Sequence, residues 1–192
     1  ASLRQLELHE AIVQFQELDA GLLVEADRRA THLEFGERAL IQRCQEHKRR
    51  NVLEHLPEDA HASVKRALKD AWSAPDADLA RRQLSRLAAS LQTKHPGAAA
   101  SLREGLDETL TVQALGITGA LYRTLRTTNP IENLNGSVAR YCRNVKRWGD
   151  GQMVLRWVAS ALSDAATRMR KLRGCSQMRT LLKALDARRS DS

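Results

Sequence analysis

Apolar residues recur at helical spacing between residues 48 and 110, and three prolines interrupt the run. Residues three and four apart lie on one face of a helix, and proline ends a helix because it has no amide hydrogen to donate. The breaks at Pro57, Pro75 and Pro96 therefore predict several short antiparallel helices. Aromatic residues make up only 4% of the chain. The core must then consist mostly of Leu, Ala and Val, a composition that favours helices over strands.

The expected fold class is mainly α. One short apolar run, residues 39–43, predicts a strand. Asp76 follows the second proline turn and is predicted to cap the next helix. The predicted helices span residues 48–56, 60–72, 77–91, 98–110, 131–146, 151–172 and 176–187.

The net charge of +8 lies in one stretch of the chain. Between residues 123 and 173 there are eleven Lys or Arg against three acids, and the rest of the chain is neutral overall. A localised basic block is typical of proteins that bind a polyanion, whereas the alternative is a solvated helix face with no ligand. Because the excess is confined to one region, we favour nucleic acid as the partner. The candidate DNA-binding residues are Arg126, Arg140, Arg143, Lys146 and Arg147.

Cysteine content and hydropathy indicate the cellular compartment of the protein. Three widely spaced cysteines argue against a disulfide framework and for a reducing compartment. No apolar run approaches the roughly 20 residues of a membrane span, and the first ten residues do not have the pattern of a signal peptide. We therefore expect a cytoplasmic protein without a membrane partner.

Glu132 is the only carboxylate between Glu108 and Asp150. Its first interpretation is structural: Asn129 suits a helix N-cap, Pro130 suits the first helical position, and Glu132 would reach back to the Asn129 amide in a capping box. The second interpretation is chemical. A lone acid inside a basic block suits a metal-dependent phosphoryl-transfer site, with the cations on the nucleic acid backbone. Such a site needs several acidic ligands, so the partners of Glu132 must lie elsewhere.

Cys44 and His47 form a C-x-x-H pair. Residues at this spacing can share one helical face and supply half of a zinc site, with His55 and His61 as further candidate ligands. None of these spacings matches a zinc finger. The alternative is a buried cysteine beside a surface histidine.

Two tryptophans lie in the basic region. Trp157 falls at helical spacing with Val154 and Ala161, which predicts a core position. Trp148 follows Lys146 and Arg147, so it would either stack on a base or anchor a helix end.

The motifs together resemble the mutator-type transposases of bacterial insertion sequences. The matching segments are residues 42–57 (QRCQEHKRRNVLEHLP), 125–136 (LRTTNPIENLNG), 143–149 (RNVKRWG) and 151–158 (GQMVLRWV). They occur in the family's order with a helical stretch between them, and the resemblance covers residues 34–185.

This resemblance implies a ribonuclease-H-like α/β core, of which the chain is the C-terminal part, interrupted by a helical insertion subdomain. It also implies an Asp-Asp-Glu triad that binds Mg²⁺ or Mn²⁺ and catalyses DNA cleavage and strand transfer. By the motif match Glu132 is the third acid, both catalytic residue and metal ligand, and Cys44 and His47 match the family's C-x-x-H signature. The implied partners are the DNA of the element ends and target, and further copies of the chain, in the nucleoid of a bacterial cytoplasm.

The resemblance also predicts how the chain is organised. Residues 1–35 are expected to form an atypical N-terminal segment, of which residues 1–33 do not resemble the family, and the core strand with the C-x-x-H segment is expected at residues 36–58. The helical insertion is expected at residues 59–122. The core helices, with the Glu and the basic block, are expected at residues 123–187, followed by a tail at residues 188–192.

The chain departs from the family at the first two acids. No Asp-Gly pair stands where the second Asp is expected, and Asp19 is the nearest candidate. We therefore expect an incomplete transposase. The alternatives are an inactive remnant that binds only DNA or an intact transposase subunit, and a helical interaction protein in which Glu132 merely caps a helix.

Overall fold

The computed structural model describes residues 40–190, with side chains through Arg188. This part of the chain is helical and contains no strand, so the mainly α class is confirmed. The α-helices are α1 (Gln45–Glu54), α2 (Glu58–Trp72), α3 (Ala77–Leu91), α4 (Pro96–Arg103), α5 (Thr111–Ala114), α6 (Gly119–Leu125), α7 (Asn129–Tyr141), α8 (Gly151–Arg168) and α9 (Met178–Ser190). Short 3₁₀ turns span Asp107–Thr109 and Cys175–Gln177.

Helix boundaries follow local signals where those signals are strong. Helix α3 has the predicted bounds, and the Asp76 carboxylate accepts a hydrogen bond from the Leu79 amide at 2.7 Å. The helix predicted over residues 98–110 is wrong at both ends: α4 begins at Pro96 and ends at Arg103. It ends there because Glu104 is extended and Gly105 has a φ of +60°, a conformation that turns the chain out of a helix.

The strand predicted over residues 39–43 is wrong for residues 40–43, which form neither strand nor helix; Ala39 lies outside the described residues. The Arg43 amide donates to the carbonyl of Glu108 at 2.8 Å, and the Gln45 amide donates to that of Arg126 at 2.9 Å. These backbone groups are satisfied by turns and helix ends, so no sheet forms here.

Helices α1 to α4 pack into one body, which we call the helical body. Its core consists of leucine, valine and alanine around Trp72, whose indole N–H donates to the Thr109 hydroxyl at 3.2 Å. Alanines at the helix contacts, among them Ala80, Ala88 and Ala98, are fully buried. Small side chains there let the helix axes approach closely. The predicted core of Leu and Ala is therefore confirmed for this body.

A buried lysine joins α1 to the end of α4. Lys48 is 1% exposed, and its Nζ donates to the carbonyls of Ser101 (2.9 Å) and Glu104 (2.7 Å) and to the Glu104 carboxylate (2.8 Å). Burial alone would raise the pKa of Glu104, but hydrogen bonds from Lys48 and Arg43 outweigh it and lower that pKa. Lys48 thus satisfies carbonyls that the last turn of α4 leaves without helical partners.

A second, smaller apolar cluster lies between α5, α6 and α9. It is centred on Val112, Ile117 and Leu121. Gly174, which precedes α9, has a φ of +85° and lies directly against the start of α6. The Leu121 amide also donates to the Gln177 side chain at 3.2 Å, so this turn holds α9 against α6.

Helices α7 and α8 form a pair. The rings of Tyr141 and Trp157 meet edge to face at 6.0 Å between centroids, and Ala161 of α8 is buried. The predicted core position of Trp157 is wrong, because the residue is only half-buried and Val154, on the same face, is 38% exposed. Helix α7 was predicted to run to residue 146 and α8 to residue 172, but they end at Tyr141 and Arg168. Like charges at positions 140, 143 and 147 would share one face of a longer α7, which disfavours its extension.

Candidate functional site

Glu132 lies in the first turn of α7, which begins at Asn129, two residues before the predicted start. Thr128, not Asn129, is the N-cap, and its carbonyl accepts from the Glu132 amide at 2.9 Å. The predicted capping box is wrong, because the Glu132 carboxylate does not hold the Asn129 amide. Its Oε1 instead accepts a hydrogen bond from the Thr128 hydroxyl at 2.6 Å. The Glu132 side chain is 51% exposed, so about half of it remains open to solvent.

The C-x-x-H pair lies beside Glu132, although more than 80 residues separate the two segments in sequence. Cys44 is 1% exposed and immediately precedes α1, and His47 lies in the first turn of that helix. The Thr128 hydroxyl is 3.5 Å from the Cys44 Sγ and 3.4 Å from the His47 Nδ1. The His47 Nε2 is 3.5 Å from the Glu132 Oε1. We call these four residues the Thr128 cluster.

Backbone and side-chain contacts fasten the segment before Thr128 to the start of α1. Besides the bond from its amide to the Arg126 carbonyl, Gln45 donates through Nε2 to the Thr109 carbonyl (2.9 Å) and to the Tyr122 hydroxyl (3.0 Å). That hydroxyl in turn donates to the Trp72 carbonyl at 2.8 Å, and burial raises the pKa of Tyr122, so the phenol keeps its proton. The Thr128 cluster is thereby tied to the helical body.

Arg126 differs from the other candidate DNA-binding residues. Its guanidinium lies 5.9 Å from the centroid of the Tyr122 ring and within 3.4 Å of the Gln45 side chain, and the residue is half-buried. These contacts give Arg126 a packing role between α6 and α1.

The remaining candidates lie at and beyond the C-terminal end of α7, whereas Thr128 precedes its N-terminal end. Arg140 is in the last turn of α7, and Arg143, Lys146 and Arg147 follow in the segment of residues 142–150 that links α7 to α8. All four are exposed and form no ion pair within residues 40–190. Trp148 is 44% exposed in the same segment, a position open to a stacking partner. We call residues 140–148 the basic segment.

The family model for mutator transposases matches residues 31–171, which is most of the chain. The chain belongs to the mutator family of transposases. It is 33% identical over 129 residues to the transposase for insertion sequence element IS6120 of Mycolicibacterium smegmatis, an alignment that covers 67% of this chain and 39% of that protein.

Two further relatives are transposases of insertion sequences. The chain is 33% identical over 97 residues to the transposase for element IST2 of Acidithiobacillus ferrooxidans, covering 50% of this chain and 32% of that protein. It is 32% identical over 127 residues to the transposase for element IS256 in transposon Tn4001 of Staphylococcus aureus, covering 64% and 31%. The chain therefore spans between 31% and 39% of the length of these relatives.

The mutator family's two-ion site can be tested against the residues present. Within residues 40–190, no three His, Cys, Asp or Glu side chains lie close enough together to hold an ion. Glu132 has the Thr128 hydroxyl and the His47 ring as neighbours, with no second carboxylate in the Thr128 cluster. This part of the transposase does not by itself fit two metal ions, and it does not form the zinc site considered for Cys44 and His47. Asp19, the candidate second acid, lies outside the described residues.

Sequence reasoning missed Thr128 and Gln45. Thr128 lies four residues before Glu132, a spacing that places both on one helical face, and this was the available signal. Gln45 gave no signal, since its partners are 64 and 77 residues away.

No helix within residues 40–190 of this mutator-family chain is long and apolar enough to span a bilayer.

Proposed function

We propose that this chain is part of an insertion-sequence transposase, in which it binds DNA through the basic segment and contributes Glu132 to the site of phosphoryl transfer. The observation that carries the proposal is an exposed carboxylate at the start of α7 and an exposed run of cations at its end and in the linker that follows, in a chain of the mutator family. The whole protein would cut element ends and join them to target DNA, as an oligomer in the bacterial cytoplasm.

The basic segment suits a phosphate backbone better than a base sequence. Its cations lie on a helix end and an irregular linker, from which long side chains can reach successive phosphates. Trp148 lies among them with much of its ring exposed, and aromatic rings can stack on unpaired bases.

Glu132 would supply one of the carboxylate ligands that Mg²⁺ or Mn²⁺ needs in such an enzyme. The other ligands would come from outside residues 40–190, within the ribonuclease-H-like core that the family resemblance implies. Helices α2 to α4 of the helical body would then belong to the insertion predicted at residues 59–122. We therefore propose a divided arrangement, in which the described residues hold the third acid and the DNA path.

DNA binding by this chain should weaken steeply with salt. Each phosphate neutralised by a cation contributes about −0.9 to the log–log slope of affinity against salt on duplex DNA. Replacing Arg143, Lys146 and Arg147 by alanine should reduce the slope by roughly 2 to 3 and weaken binding similarly for unrelated sequences. Filter binding between 50 and 300 mM salt measures both quantities.

The matched control removes three positive charges from the helical body instead of the basic segment. Lys65, Arg82 and Arg86 are exposed on α2 and α3, away from the basic segment. Their replacement by alanine should change the slope by well under half as much. Equal slopes for the two triple variants would show that only net charge matters, and that the basic segment is not the DNA path.

The 192-residue chain should bind DNA without nicking it in Mg²⁺ or Mn²⁺ if the other ligands lie outside it, because the one carboxylate of the Thr128 cluster does not hold two ions. Glu132→Gln should leave DNA affinity unchanged or raise it, since it removes the only acid between residues 108 and 150. Purified chain is incubated with supercoiled plasmid and metal, beside Glu132→Gln and the exposed control Glu58→Gln. Nicking that is lost only in Glu132→Gln would mean that the other ligands lie within this chain and that it is active alone.

A remnant that binds only DNA, or an intact transposase subunit, is the second candidate. The single carboxylate in the Thr128 cluster favours it. The two candidates differ in one complementation test, in which the chain is added to a full-length transposase whose own third acid has been replaced. Restored cleavage supports a contribution from Glu132, and no restoration supports the remnant.

A further inference from the structure

The Thr128 hydroxyl is the common neighbour of the three other side chains in the Thr128 cluster. It lies 2.6 Å from a Glu132 oxygen but 3.4 and 3.5 Å from His47 and Cys44. A hydroxyl has one proton and two lone pairs, and distances near 2.6 Å are typical of a hydroxyl that donates to a carboxylate. The proton therefore goes to Glu132, and His47 and Cys44 are the more distant neighbours of the hydroxyl.

The two side chains in this hydrogen bond, Thr128 and Glu132, differ in how far they are buried. Thr128 is 4% exposed and its neighbour Cys44 is 1% exposed, whereas the Glu132 side chain is 51% exposed. An exposed glutamate ordinarily samples several rotamers, at a cost in entropy when one must be fixed. Here a buried hydroxyl on a fastened backbone fixes one oxygen of an otherwise mobile carboxylate.

We infer that Thr128 is a positioning residue for Glu132. The hydroxyl holds the Glu132 Oε1 in one orientation, and the Cys44–His47 segment, packed on the helical body, keeps the hydroxyl in place. The purpose of this arrangement rests on the proposed function, in which Glu132 is a ligand that must be oriented before metal and DNA arrive. Preorganised ligands of this kind lose less entropy on binding.

A double-mutant cycle tests the contact without relying on activity. Thr128→Val keeps the shape of the side chain and removes the hydroxyl, and Thr128→Ser keeps the hydroxyl. In urea unfolding, Thr128→Val should raise the unfolding equilibrium constant roughly tenfold. In a Glu132→Ala background the same change should have a several-fold smaller effect. Thr127→Val, the matched neighbour, should show no such coupling.

A second measurement separates positioning from general stability. Side-chain scalar couplings of Glu132, measured by NMR on the full chain, should indicate one rotamer in the wild type and in Thr128→Ser. They should indicate rotamer averaging in Thr128→Val, while the amide signals of the helical body stay unchanged. Absence of coupling in the cycle, with the same Glu132 rotamers in Thr128→Val, overturns the inference whether or not the chain binds DNA. If the wild type shows no salt-sensitive DNA binding, the proposed function is overturned, but the measured coupling between Thr128 and Glu132 still stands.

Discussion

Replacing Gly174 by alanine is expected to destabilise the docking of α9 on α6 by roughly 3 kcal/mol or more. A β-carbon at this position would stand 2.2 Å from the Leu121 amide nitrogen and 2.6 Å from its α-carbon. These are backbone atoms, which cannot rotate away as a flexible side chain would. The φ of +85° adds about 1–2 kcal/mol for any residue with a β-carbon. Amide hydrogen exchange should show faster exchange in α6 and α9 and unchanged protection in the helical body.

Gly116→Ala is the matched control for this experiment. Its φ of +71° is also positive, but a β-carbon there would meet nothing within 4 Å. This variant should lose only about 1–2 kcal/mol, the cost of the backbone conformation. If the two variants lost equal stability, the close approach between Gly174 and α6 would not be the cause.

Replacing Lys48 by methionine is expected to lower the free energy of unfolding by about 2–3 kcal/mol. Methionine fills a similar volume but leaves the carbonyls of Ser101 and Glu104 without their donor at the end of α4. Buried acceptors that lose a donor cost about 1–3 kcal/mol each, and partial access of water to Glu104 reduces the total. Urea unfolding followed by far-ultraviolet circular dichroism measures the loss.

Lys65→Met provides the comparison, because Lys65 is an exposed lysine of α2. It should change stability by no more than about 0.5 kcal/mol. A Lys48→Met variant as stable as Lys65→Met would show that water replaces the ammonium group at the end of α4.

The helical body could be predicted because its signals are local. Asp76 caps α3 through the amide three residues on, and Leu84 and Ala88 lie one turn apart on its buried face. Pro57 precedes α2 and marks the break before it. Each of these features depends on residues within a few positions of one another, so the sequence pattern contained them.

The Thr128 cluster could be predicted only in part. The motifs identified Glu132, Cys44 and His47 separately, but their proximity depends on hydrogen bonds between residues more than 60 apart, such as that from Gln45 to the Thr109 carbonyl. The same long-range bonds occupy the backbone near Arg43, where periodicity suggested a strand. Lys48 gave no signal either, because it stands in a basic run typical of a solvated helix.

The three tryptophans lie in three different environments, which makes the chain's own fluorescence informative. Trp72 is 3% exposed in the helical body, Trp157 contacts Tyr141 between α7 and α8, and Trp148 is 44% exposed in the basic segment. Aqueous quenchers such as iodide reach Trp148 and not Trp72, and the positive charge around Trp148 draws the anion to it. The emission of buried Trp72, which iodide does not quench, therefore follows the folding of the helical body. The quenchable emission of Trp148 follows the binding of ligands to the basic segment.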